Sequence, residues 1–129
     1  MPVQILRQGS SLIATVQSAL TDSDAVRLQQ DLMDHVSRFR SEGIILDVGS
    51  IDVLDSFAAR SLRTIARMTR LRGADTVIVG LQPEIAFAMV QLGLTFDDMY
   101  TCLDLDEGLT LLDRLRTARR TPGRRGGVR

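Results

Sequence analysis

Gly43 is followed by Ile44-Ile45-Leu46-Asp47-Val48, a nearly unbroken apolar run that Gly49 and Ser50 end. A run this short, apolar toward both faces, fits a strand covered on both sides, and such strands belong to parallel sheets flanked by helices. The residues after it agree. Leu62, Ile65, Ala66 and Met68 recur at helical spacing and predict a helix from about Phe57 to Arg72, with Gly73 as its stop. Either Asp55 or Ser56 is then the N-cap, whose short oxygen-bearing side chain accepts a hydrogen bond from a first-turn amide. Asp55-Ser56-Phe57 therefore sits where a loop leaves a buried strand and enters a helix, and it offers a serine hydroxyl at the positive end of a helix dipole. A plain cap is the ordinary use of such a serine; a phosphate is the other thing this position suits.

The rest of the chain extends the pattern. Val3 to Arg7 and Leu12 to Val16 read as two strands joined by a tight turn at Gly9-Ser10. A first helix opens at Thr21, with Asp24 three residues on as an approximate capping box. It sends Leu28, Leu32, Val36 and Phe39 toward a core, and Gly43 closes it. Thr76 to Val79 is a further buried strand, ended by Gly80. Pro83 takes the first position of a helix over Glu84 to Leu92, which Gly93 stops. This helix is apolar nearly all round: Ile85, Ala86, Met89 and Leu92 can face a core, while Phe87, Ala88 and Val90 lie elsewhere. Such a helix is either deeply buried or in contact with another protein. Met99 to Leu103 is a last strand. Asp104 and Glu107 open a final helix bearing Leu105, Leu109, Leu112 and Leu115, with Arg114 and Arg116 complementing its dipole.

These elements predict an α/β fold: a single domain over residues 1–118, with a mixed, mostly parallel sheet of about five strands and about four helices. The helices are expected either two to a face or all four on one. Residues 119–129 are rich in Pro, Gly and Arg and read as a basic, solvated tail.

Composition removes many functions. Acidic and basic residues balance at sixteen each, so the chain as a whole does not attract nucleic acid. Every base is arginine, and the missing lysine excludes a Walker A motif, a Schiff-base enzyme and a kinase ATP anchor. It also argues against an aspartate-phosphorylated receiver built on Asp47, Asp52 and Asp55, which are simpler as loop and turn formers. The single histidine, His35, reads as a helix-face residue and the single cysteine, Cys102, as buried filler. No Cys/His spacing suits zinc, and no metal or cofactor is expected. No apolar run reaches membrane-spanning length and no signal-peptide pattern is present, so a cytoplasmic, non-enzymatic protein is expected.

A binding role is better supported. Arg60, Arg63, Arg67 and Arg70 follow Ser56 at helical spacing on one face, as a solvated basic stripe or a partner surface. Arg60 is placed to pair with Asp55 or with a phosphate on Ser56. Asp55, Phe57, Arg60, Arg63, Arg67, Phe87 and Val90 are the candidate partner-binding residues, with Ser56 the candidate phosphorylation site.

Four segments carry a family resemblance: Val53-Leu54-Asp55-Ser56-Phe57-Ala58-Ala59-Arg60, Leu71-Arg72-Gly73-Ala74, Val79-Gly80-Leu81-Gln82-Pro83 and Gln91-Leu92-Gly93. Together they resemble the STAS domain of stressosome scaffold proteins of the RsbS type, over about Val3 to Leu115. The resemblance implies that Ser56 is phosphorylated by a serine/threonine kinase of the switch type and dephosphorylated by a cognate serine phosphatase. It also implies assembly with sensor-bearing STAS paralogues into a large hetero-oligomer that releases the kinase on phosphorylation. A free anti-sigma factor antagonist, binding an anti-sigma kinase in a phosphorylation-dependent partner switch, is the alternative. The arginine-rich tail lies outside the family pattern, and the threonines, Thr76 among them, receive no role.

Overall fold

A computed structural model describes residues 3–17, 20–93 and 97–119. Its sheet contains β1 (Val3–Gln8), β2 (Ser11–Val16), β3 (Gly43–Asp47), β4 (Asp75–Val79) and β5 (Tyr100–Cys102), side by side in chain order. β1 and β2 form the expected hairpin, Gln8 opposite Ser11, with Gly9 at a φ of 61°. The pairs β2–β3, β3–β4 and β4–β5 are all parallel. The helices are α1 (Asp22–Phe39), α2 (Ser56–Leu71), α3 (Pro83–Gln91) and α4 (Leu105–Arg119).

Neither expected distribution of the helices is realised. Each crossover from β2 to β5 advances one strand in the same direction, and a right-handed crossover repeated that way puts every connecting helix on the same face. Side chains from α1, α2 and α3 accordingly share one core with Leu12, Ala14, Val16, Ile44, Leu46 and Ile78. α4 crosses to the opposite face, where Leu112 packs with Ile13, Ile45, Val77 and Val79. The alternation along β3 shows why both layers are needed: Ile44 and Leu46 enter one core and Ile45 the other, all fully buried. Because each helix runs back against the strand before it, all four begin at the carboxyl edge of the parallel strands.

Local chemistry sets the helix ends. Thr21 Oγ1 accepts from Asp24 N at 3.1 Å while Thr21 N donates to Asp24 Oδ2 at 3.2 Å, a complete capping box. At α4, Glu107 N donates to Asp104 Oδ1 at 2.9 Å and Glu107 Oε1 accepts from Leu103 N at 3.2 Å. Gly73, at φ 83°, ends α2, and Ala74 N reaches back to Thr69 O at 2.9 Å. Thr69 Oγ1 donates to Ala66 O, so the Thr76 hydroxyl, 2.7 Å away, donates to Thr69. Thr76 is thus an interior tie between β4 and α2, closed to solvent.

Several expectations are corrected. Gly43 does not close α1; Arg40 does, in the left-handed region at φ 50° and ψ 45°. Gly43 instead starts β3, where a Cβ would stand 2.8 Å from both Leu112 methyls, so its small size serves the α4 packing. Phe39 lies outside the core, its ring tilted at 45° to that of His35 with the Arg7 guanidinium 4.2 Å above it. Leu92 is exposed because α3 buries only Ile85 and Met89. β5 is shorter than expected and leaves Leu103 in solvent. Cys102 is half-buried against the α4 core, and burial, then Glu107, pushes its thiol above the ordinary value. Of the tail, Arg119 ends α4 and pairs with Asp75, its other amine donating to Glu42 O at 3.4 Å. The remainder, 120–129, lies outside the described residues.

Gly108 gives a test of the α4 layer. Glycine to alanine in a helix interior ordinarily stabilises by about 1 kcal/mol. Here the new methyl would stand 2.9 Å from Val79 Cγ1 in a filled core. Gly108→Ala is therefore expected to destabilise by about 1–3 kcal/mol in urea unfolding, with Val79→Ala added to it recovering part of the loss.

Candidate functional site

The carboxyl ends of β3 and β4 are fastened together before the chain reaches Ser56. Val48 N donates to Val79 O at 3.1 Å, continuing the ladder one residue beyond the strands. Gly49 then has both its peptide groups held by side chains. Its N–H donates to Asp47 Oδ1 at 3.1 Å, and its carbonyl accepts from Gln82 Nε2 at 2.8 Å. Gly80, at φ 75°, approaches so closely that a Cβ on it would stand 3.1 Å from Gly49 Cα. Gly80 is therefore side-chain-free by necessity, both for its backbone conformation and for this approach. Beyond it, Ile51 N donates to Val48 O at 3.1 Å, and Ile51 and Leu54 turn inward to the core.

Asp55 ends the loop as the N-cap of α2, which resolves the choice between Asp55 and Ser56. Its Oδ1 accepts from Ala58 N at 2.7 Å and its carbonyl from Ala59 N at 3.0 Å. Ser56 is the first helical residue, half-buried, and no described residue hydrogen-bonds its hydroxyl. Ala58 and Ala59 pack inward while Val53 and Phe57 stay exposed on either side of the serine. The first turn after Asp55 carries no acid, so the amide end of the helix faces solvent with only the cap to offset its partial charge.

The arginine stripe divides in two. Arg67 Nε binds Asp98 Oδ2 at 2.9 Å and Arg70 Nη1 lies 3.7 Å from Asp98 Oδ1, so this half is engaged within the domain and clips the segment before β5 to α2. Arg63 is half-buried, its Nε without a hydrogen-bond partner among the described residues. Arg60 is exposed and makes no ion pair among the described residues, with Asp55 included. The expected Arg60–Asp55 pair is absent for a simple reason: the Asp55 carboxylate points along the helix axis to Ala58 N. Phe87 and Val90 are 64% and 60% exposed on the outer side of α3. The structure thus groups Asp55, Ser56, Phe57 and Arg60 at one corner and leaves Phe87 and Val90 on a neighbouring helix.

Sequence reasoning missed Asp47, Gly49, Gly80 and Gln82 as the frame of this corner, and Asp98 as the arginine counter-ion. One signal was available: a glycine follows both β3 and β4 at nearly the same height. Among the described residues, no three His, Cys, Asp or Glu side chains converge as a metal site, and no helix is long and apolar enough to cross a membrane.

A five-stranded sheet in chain order, three helices on one face, and a capped serine corner at the strand ends together define the class, and the STAS domain model matches residues 2–107. The chain belongs to the STAS domain family. Within it, similarity runs to stressosome proteins. A serine-to-glutamate variant of Moorella thermoacetica RsbS has the same fold with a TM-score of 0.81 and 26% identity, over 91% of this chain and 99% of that one. A chain from the molecular architecture of the stressosome, described there as a signal integration and transduction hub, gives 0.72 and 26%, over 88% and 98%. The RsbT co-antagonist protein RsbRA of Bacillus subtilis is 29% identical over 85 residues, 66% of this chain and 31% of that protein. The chain therefore aligns with about a third of that relative's length.

The cap gives a stability test. Asp55→Ala is expected to cost about 1 kcal/mol in thermal or urea unfolding, and Asp55→Asn to retain most of that stability, because it keeps the acceptor oxygen and loses only the charge–dipole part.

Proposed function

We propose that this chain is a non-enzymatic, phosphorylatable scaffold of a stressosome-type complex in the cytoplasm. It holds a serine/threonine switch kinase and releases it once Ser56 carries phosphate. The observation that carries this reading is the Ser56 hydroxyl: uncommitted to any described residue, at the amide end of α2, just after a loop held at Gly49, Ile51 and Leu54. The likeness to RsbS and RsbRA supports it.

A phosphate at this position adds a charge of about −1.5 to −2 beside a partially positive helix end, so the fold tolerates it. Arg60, one turn further and unpaired among the described residues, adds a cation within the same surface. The cost falls on the partner. A kinase seated on Val53 and Phe57 buries this corner against its own apolar or acidic groups, and a dianion there introduces desolvation and repulsion. A cognate serine phosphatase resets the site. Sensor-bearing STAS paralogues complete the assembly, with Phe87 and Val90 of α3 as one contact surface and Arg60, Arg63 and Arg67 of α2 as another.

Incubation with a switch-type serine kinase and ATP is expected to place one phosphate on Ser56 by mass spectrometry, and none on the Ser56→Ala chain. Phosphate elsewhere with Ser56 unmodified would sink the proposal. Ser56→Glu is expected to weaken kinase binding at least about tenfold. Size-exclusion chromatography with a sensor-bearing paralogue is expected to give a large complex that Phe87→Asp disrupts; a mixture eluting as separate small proteins would favour a free antagonist instead.

A further inference from the structure

Gln82 occupies a position where its own helix gains little from it. It is the N-cap residue of α3, with φ −71° and ψ 145°, and its side chain makes no capping hydrogen bond. Ser, Thr, Asp and Asn serve that position best, and the side chain of glutamine is too long to fold back as they do. It extends instead across the sheet edge to the Gly49 carbonyl, 2.8 Å away, in the loop that leads to Ser56. That carbonyl is on the exposed side, where water could hydrogen-bond it in the side chain's place without tying it to α3. The bond is therefore unnecessary for burial and acts on geometry alone.

We propose that Gln82 is a positioning residue for phosphorylation of Ser56, a role that rests on the function proposed above. Its amide fixes Gly49 from the α3 side while Asp47 fixes the same residue from β3, and the close approach of Gly80 leaves Gly49 little room to shift. From Gly49 the chain passes the inward-facing Ile51 and Leu54 to the Asp55 cap, so the register set at Gly49 is carried to the serine. A kinase meets a loop already in its bound shape. When the tie is cut, only part of the population presents the serine correctly, and apparent affinity falls by that fraction. α3 is held to the core by Ile85 and Met89 alone among its fully buried residues, so its placement also sets that of Gln82.

Two substitutions separate positioning from stability. Gln82→Ser cuts the tie and supplies α3 with a better cap, so its melting temperature is expected to equal or exceed that of the unaltered chain. Its amides at Ser50 and Ile51 should exchange faster, and KM for Ser56 phosphorylation should rise about 3- to 10-fold at unchanged kcat, the effect of one lost hydrogen bond. Gln82→Arg keeps a donor of sufficient reach and is expected to restore most of the KM. A Gln82→Ser chain with unaltered KM overturns the proposal. So does a Gln82→Arg chain that behaves like Gln82→Ser, or a kinetic loss that merely tracks a fall in melting temperature. If the unaltered chain accepts no phosphate on Ser56, the function above fails, and with it the kinetic role. Exchange at Ser50 and Ile51 then still reports whether Gln82 orders the loop.

Discussion

Everything in this domain follows from β3 being apolar on both faces. Ile44, Ile45 and Leu46 are fully buried, and no single layer of helices can bury all three, because their side chains alternate across the sheet. Two layers are therefore required. The chain meets that requirement asymmetrically, since three like-handed crossovers in one direction load one face and leave the other to α4. Small residues let the lone helix sit close enough: Gly43 admits the Leu112 methyls, and Gly108 lies against Val79. The same crossovers bring the end of β3 and the end of β4 together at one edge, which is where the Gly49–Gly80 crossing forms and where α2 begins.

Features written in neighbouring residues were legible in the sequence. The Gly9-Ser10 turn, the Thr21–Asp24 and Asp104–Glu107 caps, and the Gly73 stop all depend on interactions spanning a few positions, and all occur. Features that depend on distant parts of the chain were not. Gly43 looks like a helix stop next to α1, yet its neighbour in space is Leu112, a residue of the last helix. Phe39 fits the apolar period of α1, but it lies beyond Val36, the last buried residue of the helix, and Arg7 and His35 receive the ring. Helical spacing correctly aligned Arg60, Arg63, Arg67 and Arg70 without revealing that Asp98, far along the chain, claims two of them.

The candidate site shows the same division. That a serine stands near a helix start is readable from Asp55-Ser56-Phe57, and the competition between two capping residues is settled by one 2.7 Å bond. The frame that holds the loop is not readable, because it joins Asp47 and Gln82 across the strand ends through a single glycine. A reactive side chain can be identified from its neighbours in sequence; the precision with which it is held belongs to neighbours in space.

All four helices start at the carboxyl edge of the parallel strands, and this has an electrical consequence for a chain whose formal charges cancel. Peptide dipoles aligned in four helices leave partial positive charge along the Ser56 edge and partial negative charge along the opposite one. Acids in the first turns of α1, α3 and α4, and arginines in the last turns of α1, α2 and α4, oppose that charge, whereas the first turn of α2 carries no acid. The positive helix end left with its cap alone is therefore the one that carries Ser56, and because peptide groups do not titrate, that partial charge persists at any pH at which the helix does.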